Sequence, residues 1–282
     1  MSADVTRSVL EHQGRKILGL IAGQGELPLA IAREAHQQGF RVFAIGLAPL
    51  CDEALKNHVD DFMSISVGKL GSIIGALKKA NVTEAVMGGK VPKTLVYKSK
   101  IVPDLKTVGL MMRLKDKSDD SILLAVTEEF VKEGINMLNV TDFTTNLITS
   151  HGLLTKKGIS KQEEKDIEFG FRIAKEIGRL DIGQTVVIKD SAVIAVEAIE
   201  GTDSAIIRAG TLVGDGAVVI KVSKPTQDKR FDYPAAGLQT IKAMIDAKAR
   251  VLALEADNTL MLDKVNMIKN ATAAGITIVG IK

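Results

Sequence analysis

The sequence predicts an α/β protein in two parts: an N-terminal Rossmann-like parallel sheet domain and a C-terminal α/β domain with a mixed sheet. Three observations predict it. Apolar runs of strand length alternate with amphipathic stretches through the first half, which implies parallel pairing through helical crossovers. Clear periodicity then lapses between Thr141 and Ile159. Beyond the lapse, two apolar runs separated by little more than Asp190-Ser191 read as an antiparallel hairpin. The length of 282 residues suits about two domains at ~150 residues each. With 46% hydrophobic and 25% charged residues, either half can bury a core, so bulk disorder is excluded. The expected boundaries are 1–143 for the first domain, 144–159 for a linker and 160–282 for the second domain.

In order, 16–22 reads as a buried strand and 27–38 as a helix. Pro28 sits in the first turn, where a missing N–H costs nothing, and Gly39 stops the helix. Strands follow at 41–47 and 62–67, a helix at 69–80, and a strand at 84–87 that ends on Gly88-Gly89-Lys90. Helices at 105–114 and 119–132 precede a strand at 135–140; Ser118 suits the second helix's N-cap and Gly134 its stop. In the second half, Ser160 and Glu163 form a capping-box pattern that opens a helix to about Ile177. Then come strands at 184–189 and 192–199, a short helix at 202–210, a strand at 217–223 and a polar loop at 224–237. A helix at 238–249, a strand at 250–254, a helix at 263–274 and a strand at 276–281 complete the chain.

Composition excludes several functions. Thirty-seven Lys and Arg against 34 Asp and Glu leave +3, too little to argue for nucleic acid. Aromatics at 4%, with no Trp, make a base-stacking platform a poor reading. The single Cys51 excludes an internal disulfide and a cysteine zinc cluster and suits a reducing compartment. His12, His36, His58 and His151 form no i+3 or i+4 pair, so there is no local histidine metal motif. The opening residues lack the apolar stretch of a signal peptide, and no apolar run nears the ~20 residues of a membrane span. A soluble, cytoplasmic protein is expected, with a peripheral membrane contact left open.

Five segments could carry chemistry. Gly23-Gln24-Gly25 lies at a strand-to-helix junction, where backbone N–H groups and the helix dipole favour phosphate; a plain tight turn explains it too. A dinucleotide fingerprint needs a third glycine where Pro28 stands and an acid at the end of the next strand, which ends Gly46-Leu47, so an NAD-dependent oxidoreductase is poorly supported. Gly88-Gly89-Lys90 would lie at the same sheet edge and offer a cation, although without Walker spacing. Ser118-Asp119-Asp120 reads as helix-start acids or as metal ligands. In Glu197-Ala-Ile-Glu200-Gly-Thr-Asp203, strand alternation keeps Glu197 and Glu200 on opposite faces, while Thr202 and Asp203 start a helix that could meet phosphate. The stretch from Lys224 through Asp228, Lys229 and Arg230 to Pro234 sets three cations around one carboxylate, as phosphoryl transfer requires, or is a solvated charged loop.

Longer strings carry a resemblance. Gly19-Leu20-Ile21-Ala22-Gly23-Gln24-Gly25-Glu26-Leu27-Pro28, Gly88-Gly89-Lys90, Ser118-Asp119-Asp120, Gly178-Arg179-Leu180-Asp181-Ile182-Gly183-Gln184, the segment Ala195 to Asp203 and the segment Lys221 to Asp228 occur in that order. They resemble the UDP-2,3-diacylglucosamine pyrophosphatases of the LpxI type from about Lys16 to Lys282. The resemblance implies a magnesium-dependent hydrolase of lipid A biosynthesis. It would cleave UDP-2,3-diacylglucosamine to UMP and 2,3-diacylglucosamine 1-phosphate (lipid X), with water attacking the sugar-side phosphorus, and act as a homodimer. It assigns Asp228 as the required carboxylate and Asp203 as a metal or phosphate residue. Gly23, Gly25 and Lys90 become nucleotide-side contacts, and Thr202, Lys224, Gln227 and Arg230 substrate contacts. The chain departs from the pattern at Pro92-Lys93, at Ser118 and at Glu255-Ala256-Asp257, none of which touches the Asp228 string.

Physical chemistry agrees. A diphosphate diester carries two negative charges, so cations and metal-holding carboxylates should converge. Mg²⁺ takes oxygen ligands and retains waters, so few carboxylates suffice. Asp228 could hold the metal or take the proton of water; sequence leaves both roles open. Neither a Nudix-type helix nor the Asp-x-His opening of calcineurin-like enzymes is present. A non-catalytic nucleotide-sugar or acyl-lipid binding protein is the alternative; it needs the fold and the glycines but not Asp228.

Overall fold

The computed structural model describes residues 16–92, 101–114, 119–225 and 233–282. The chain divides into two units, Met1–Phe143 and Thr144–Lys282.

In the first unit the strands are β1 (Ile17–Ala22), β2 (Arg41–Ala48), β3 (Asp61–Ser66), β4 (Glu84–Gly88) and β5 (Asn136–Met137). The helices are α1 (Leu27–Gln37), α2 (Leu70–Lys79), α3 (Leu105–Arg113) and α4 (Asp119–Lys132). The sheet order is β3-β2-β1-β4-β5, and every pair is parallel, as expected. β1 is buried along almost its whole length, which is why it reads as a continuous apolar run rather than an alternating one. One face packs Ile21, Ile45 and Met137 beneath Ile73, Leu77 and Phe130 from the helices α2 and α4. The opposite face lies under α1, which buries Ile31, Ala32 and Ala35. Two local expectations change. β5 is only two residues, because the chain leaves the sheet and enters a 3₁₀ turn at Val140–Phe143. A further 3₁₀ turn at Glu53–His58, capped by Asp52 accepting from the Ala54 N–H at 2.8 Å, has too few residues to show a period.

The second unit has a six-stranded sheet in the order β6-β13-β11-β9-β7-β8. Its elements are β6 (Gly152–Leu153), α5 (Lys161–Arg179), β7 (Thr185–Lys189), β8 (Ala192–Val196), α6 (Thr202–Val213), β9 (Val218–Lys221), β10 (Ala235–Ala236), α7 (Leu238–Asp246), β11 (Val251–Glu255), β12 (Leu260–Met261), α8 (Lys264–Ala273) and β13 (Thr277–Ile281). β9, β11 and β13 run parallel, whereas β7 is antiparallel to both β8 and β9, so the sheet is mixed as predicted. α5 covers one face through Ile167, Ala174 and Ile177. α6, α7 and α8 cover the other through Ile206, Ile241 and Met267. The capping box is present: Ser160 Oγ accepts from the Glu163 N–H at 3.2 Å, and Glu163 Oε2 accepts from the Ser160 N–H at 2.6 Å.

The hairpin turn holds both Asp190 and Ser191 at positive φ, 50° and 60°, as a primed two-residue turn requires. Neither is glycine. The buried Asp166 of α5 compensates, accepting from the N–H groups of Asp190 at 3.1 Å and Ser191 at 2.7 Å. Residues 144–159, expected as a linker, are laced into the second unit. β6 pairs antiparallel with β13, and Thr149 exchanges backbone bonds of 2.9 Å with Thr259 and Asp257.

Candidate functional site

The glycine pairs of the first unit lie where they were expected, at the carboxyl ends of β1 and β4. These strands are neighbours although the chain visits β2 and β3 between them, which makes this edge the topological switch point where open α/β sheets bind ligands. Here the two turns bind each other. The Gly23 N–H donates to Gly88 O at 2.8 Å, the Gln24 N–H to Lys90 O at 2.9 Å, and the Lys90 N–H back to Gln24 O at 2.9 Å. A Cβ on Gly23 would stand 2.7 Å from Lys90 O, and one on Gly89, at φ +91°, would stand 2.8 Å from Gln24 O. Two main chains can meet this closely only as glycine. The N–H of Gly23 is therefore spent within the fold. Gly25, at φ +102°, faces open space, and the Lys90 side chain is exposed. A shallow depression lined by Lys16, Ile17, Asn81, Thr83 and Glu84 lies at the opposite, amino end of the same strands, away from both glycine turns.

In the second unit the carboxyl ends of β8, β9 and β11 and the start of α6 hold buried charge. Gly201 is the N-cap of α6, at φ +85°, and Thr202 is its first helical residue rather than the cap. Lys221 closes β9 and is 4% exposed. Its Nζ donates to Thr202 Oγ1 at 2.8 Å and reaches Thr185 Oγ1 at 3.4 Å and Glu197 Oε2 at 4.0 Å. Thr202 Oγ1 in turn donates to Glu197 Oε1 at 2.8 Å. Glu197 and Glu200 serve different partners. Glu200 bonds Arg208 at 2.7 Å; burial would raise its pKa, but hydrogen bonds from backbone N–H groups and from Arg208 hold it below the ordinary carboxylate value. Asp203, in the first turn of α6, accepts from Thr240 Oγ1 of α7 at 3.2 Å.

A second charged group adjoins it. Glu255, closing β11, accepts from Lys175 Nζ at 2.9 Å, from the Ser223 N–H at 2.8 Å and from Asn258 Nδ2 at 3.2 Å. Lys224 is buried and its Nζ lies 2.6 Å from Asp181 Oδ1, so it ties the chain after β9 to the turn after α5. Of the predicted residues, Thr202, Asp203 and Lys224 thus sit at one sheet edge. Gln227, Asp228 and Arg230 lie outside the described residues, as do Lys93 and Ser118; Asp119 opens α4. Sequence reasoning gave Lys221, Glu255, Lys175 and Asp181 no role in the site. The missed signal was a charged residue closing an apolar parallel strand, Lys221 after Val218-Val219-Ile220 and Glu255 after Val251-Leu252-Ala253-Leu254.

Among the described residues no three His, Cys, Asp or Glu side chains gather as a metal cluster. The oxygens at this edge nonetheless suit a hard cation that keeps waters. Asp203 supplies a carboxylate, and the buried Gln184 Oε1 accepts no hydrogen bond among the described residues. No helix among the described residues is long and apolar enough to cross a membrane.

Comparison with known proteins follows this division. Residues 17–147 match the LpxI N-terminal domain and residues 150–279 the LpxI C-terminal domain. A protein of Caulobacter vibrioides named UDP-2,3-diacylglucosamine pyrophosphatase LpxI is 32% identical over 276 residues, covering 94% of this chain and 97% of the relative. Among solved structures, a biotin carboxylase of Campylobacter jejuni is 15% identical with a TM-score of 0.29 over 71% of this chain, which spans only 43% of that one. The protein gox2253 is 8% identical with a TM-score of 0.30, covering 94% of this chain and 89% of its own. Likenesses at that level carry no argument. The two domain matches and the Caulobacter relative do: the chain belongs to the LpxI family.

Proposed function

We propose that this protein hydrolyses the diphosphate of UDP-2,3-diacylglucosamine to UMP and 2,3-diacylglucosamine 1-phosphate, a step of lipid A biosynthesis. The observation that carries the reading is the relative of that name, 32% identical across 94% of this chain. Water attacks the sugar-side phosphorus, its oxygen joins that phosphorus, and the bridging oxygen leaves with UMP. Asp228 takes the proton of the attacking water or, with Asp203, holds Mg²⁺. When bound, that ion neutralises phosphate charge and acidifies a bound water. Thr202, at the amino end of α6, and Lys224, Gln227 and Arg230 hold the phosphates on the second unit. Gly25 and Lys90 meet the nucleotide side, and Gly23 contributes shape, since its N–H is engaged with Gly88. The reading includes a cytoplasmic homodimer in peripheral contact with the inner membrane, because a diacylated substrate resides in a bilayer.

The test is UMP release from UDP-2,3-diacylglucosamine in detergent micelles with Mg²⁺, for wild type and Asp228→Ala. Loss of at least about a hundredfold in rate is expected of the variant and of wild type in excess chelator. Water labelled with ¹⁸O should mark the sugar phosphate and not UMP. Equal product from both proteins would remove Asp228 from the reaction. Binding by both without product would favour a carrier.

A further inference from the structure

The hydroxyl of Thr202, a residue set against phosphate in the proposed reaction, is already engaged within the fold. The Lys221 ammonium has only protons to give, so Thr202 Oγ1 accepts from it at 2.8 Å. The Glu197 carboxylate only accepts, so the single hydroxyl proton of Thr202 goes to Glu197 Oε1 at 2.8 Å. An anionic phosphate oxygen also only accepts, and it cannot have a proton that Glu197 holds. What this turn can offer phosphate is main chain. A helix leaves the N–H groups of its first turn without partners inside the helix, and in α6 the Ala205 N–H is the one that reaches back to Gly201 O, at 3.2 Å. The N–H groups of Thr202, Asp203 and Ser204 stand ahead of it.

The side chains that hold the hydroxyl come from other elements. Lys221 closes β9, Glu197 directly follows β8 and Thr202 opens α6. Thr185 Oγ1 of β7 lies 3.4 Å from the same Lys221 Nζ, and the Gln184 N–H donates to Glu197 Oε2 at 3.4 Å. Lys221 and Thr202 are both buried, so the chain of cation, hydroxyl and carboxylate keeps its geometry with little competition from water. The next residue is held too, since Asp203 accepts from Thr240 Oγ1 of α7 at 3.2 Å. The first turn of α6 is thus tied to the sheet through one residue and to α7 through the next.

We infer that Lys221 and Glu197 are positioning residues for the proposed hydrolysis. They orient the first turn of α6 through the Thr202 hydroxyl, and the main-chain N–H groups of that turn, not the hydroxyl, meet the phosphate. Stability alone does not account for the pair, because well-packed apolar side chains commonly stabilise a core as well as a buried ion pair does. The polar chain ends instead on the one helix turn that the proposed reaction sets against phosphate. The inference rests on that reaction for the identity of the phosphate.

The experiment compares wild type with Lys221→Met/Glu197→Gln, which removes one buried charge of each sign, and with Thr202→Val, which removes only the hydroxyl. Three quantities are read in detergent micelles with Mg²⁺: kcat and KM for UMP release from UDP-2,3-diacylglucosamine, and the calorimetric affinity for lipid X. Circular dichroism and a urea midpoint show how much of each protein is folded, and rates and affinities are taken per folded molecule. Both variants should lose about tenfold in kcat and about tenfold in affinity for lipid X. Thr202→Ser, with a hydroxyl returned, should restore most of what Thr202→Val loses. A pair that serves the fold alone would lower the urea midpoint and leave kcat and affinity at the wild-type value, and that result overturns the inference. If the double variant does not fold, Thr202→Val decides in the same way. Wild type that binds lipid X but releases no UMP fails the hydrolase reading alone, and the affinities of the variants then decide the positioning role. Wild type that neither binds nor releases overturns both.

Discussion

The two sheets end in carboxyl edges built from opposite materials. In the first unit the turns after β1 and β4 are joined by main chain alone, three backbone hydrogen bonds across Gly23, Gln24, Gly88 and Lys90. In the second, the ends of β8, β9 and β11 are joined by buried side-chain charge, Lys221 with Thr202 and Glu197, and Lys175 with Glu255. A backbone zipper demands glycine and tolerates most other substitutions. A buried charge network demands particular side chains, because an unpaired charge in a dry site is expensive.

The largest effect should come from breaking the second edge. Lys221→Met takes away a buried cation that stands 2.8 Å from Thr202 Oγ1 and 4.0 Å from Glu197 Oε2, and loss of one partner of a buried pair costs about 3–5 kcal/mol. Adding Glu197→Gln should return part of that loss, since a buried carboxylate charge that Lys221 faces is then gone. The matching change at the first edge, Lys90→Met, removes an exposed side chain and should move the urea midpoint within about 0.5 kcal/mol. Equal losses for Lys221→Met and Lys90→Met would erase the contrast.

The first edge has its own weak point. Gly89→Ala places a methyl 2.8 Å from Gln24 O at φ +91°, combining collision with a left-handed backbone. The cost should be on the order of 3 kcal/mol. Gly25→Ala is the control: its φ is +102° but nothing stands within 4 Å of the added carbon, so only the conformational part, about 1–2 kcal/mol, remains. Urea unfolding of the pair separates close approach from φ. Equal destabilisation would mean the loops do not need their contact.

The first sheet was legible because its buried parallel strands are unbroken apolar runs with helical spacing between them. The hairpin was legible from its two apolar runs, although what holds the turn, Asp166, lies 24 residues earlier on α5 and has no local signature. β6, β10 and β12 are two residues each, too short for any period to show. Residues 144–159 join the second unit through isolated bonds such as Thr149 to Thr259, which leave no pattern in sequence. At the candidate site, Thr202 and Asp203 were legible because a glycine followed by a polar pair marks a helix start. Lys221 was not: within a strand pattern it reads as the solvent-facing end, and its partners Thr185, Glu197 and Thr202 come from other elements. Lys224 was legible as a cation but not as a partner of Asp181, since their 43-residue separation is bridged by tertiary structure.

Charge outside the two edges offers the smallest and most selective test. Glu133 bonds Lys106 at 2.6 Å and Lys78 at 2.8 Å, and these hydrogen bonds lower its pKa from 4.5 to about 2. Glu129 moves the same way: its hydrogen bond from Lys132 comes first, burial opposes it, and Arg113 adds to the lowering. A carboxylate with a lowered folded-state pKa stabilises the native state fully above its unfolded value and loses that contribution as the folded value is approached. The first unit should therefore weaken as pH falls from 4.5 towards 2. Glu133→Gln should flatten that slope while changing the midpoint little once pH reaches about 2, where the folded-state carboxyl too is taking up its proton. Because Glu133 is partly open to solvent, ~1 M salt should shrink the same slope, whereas the Lys221 network, shielded from water, should be indifferent to salt. A pH slope that survives both Glu133→Gln and salt would place the acid-sensitive charges at the second edge instead.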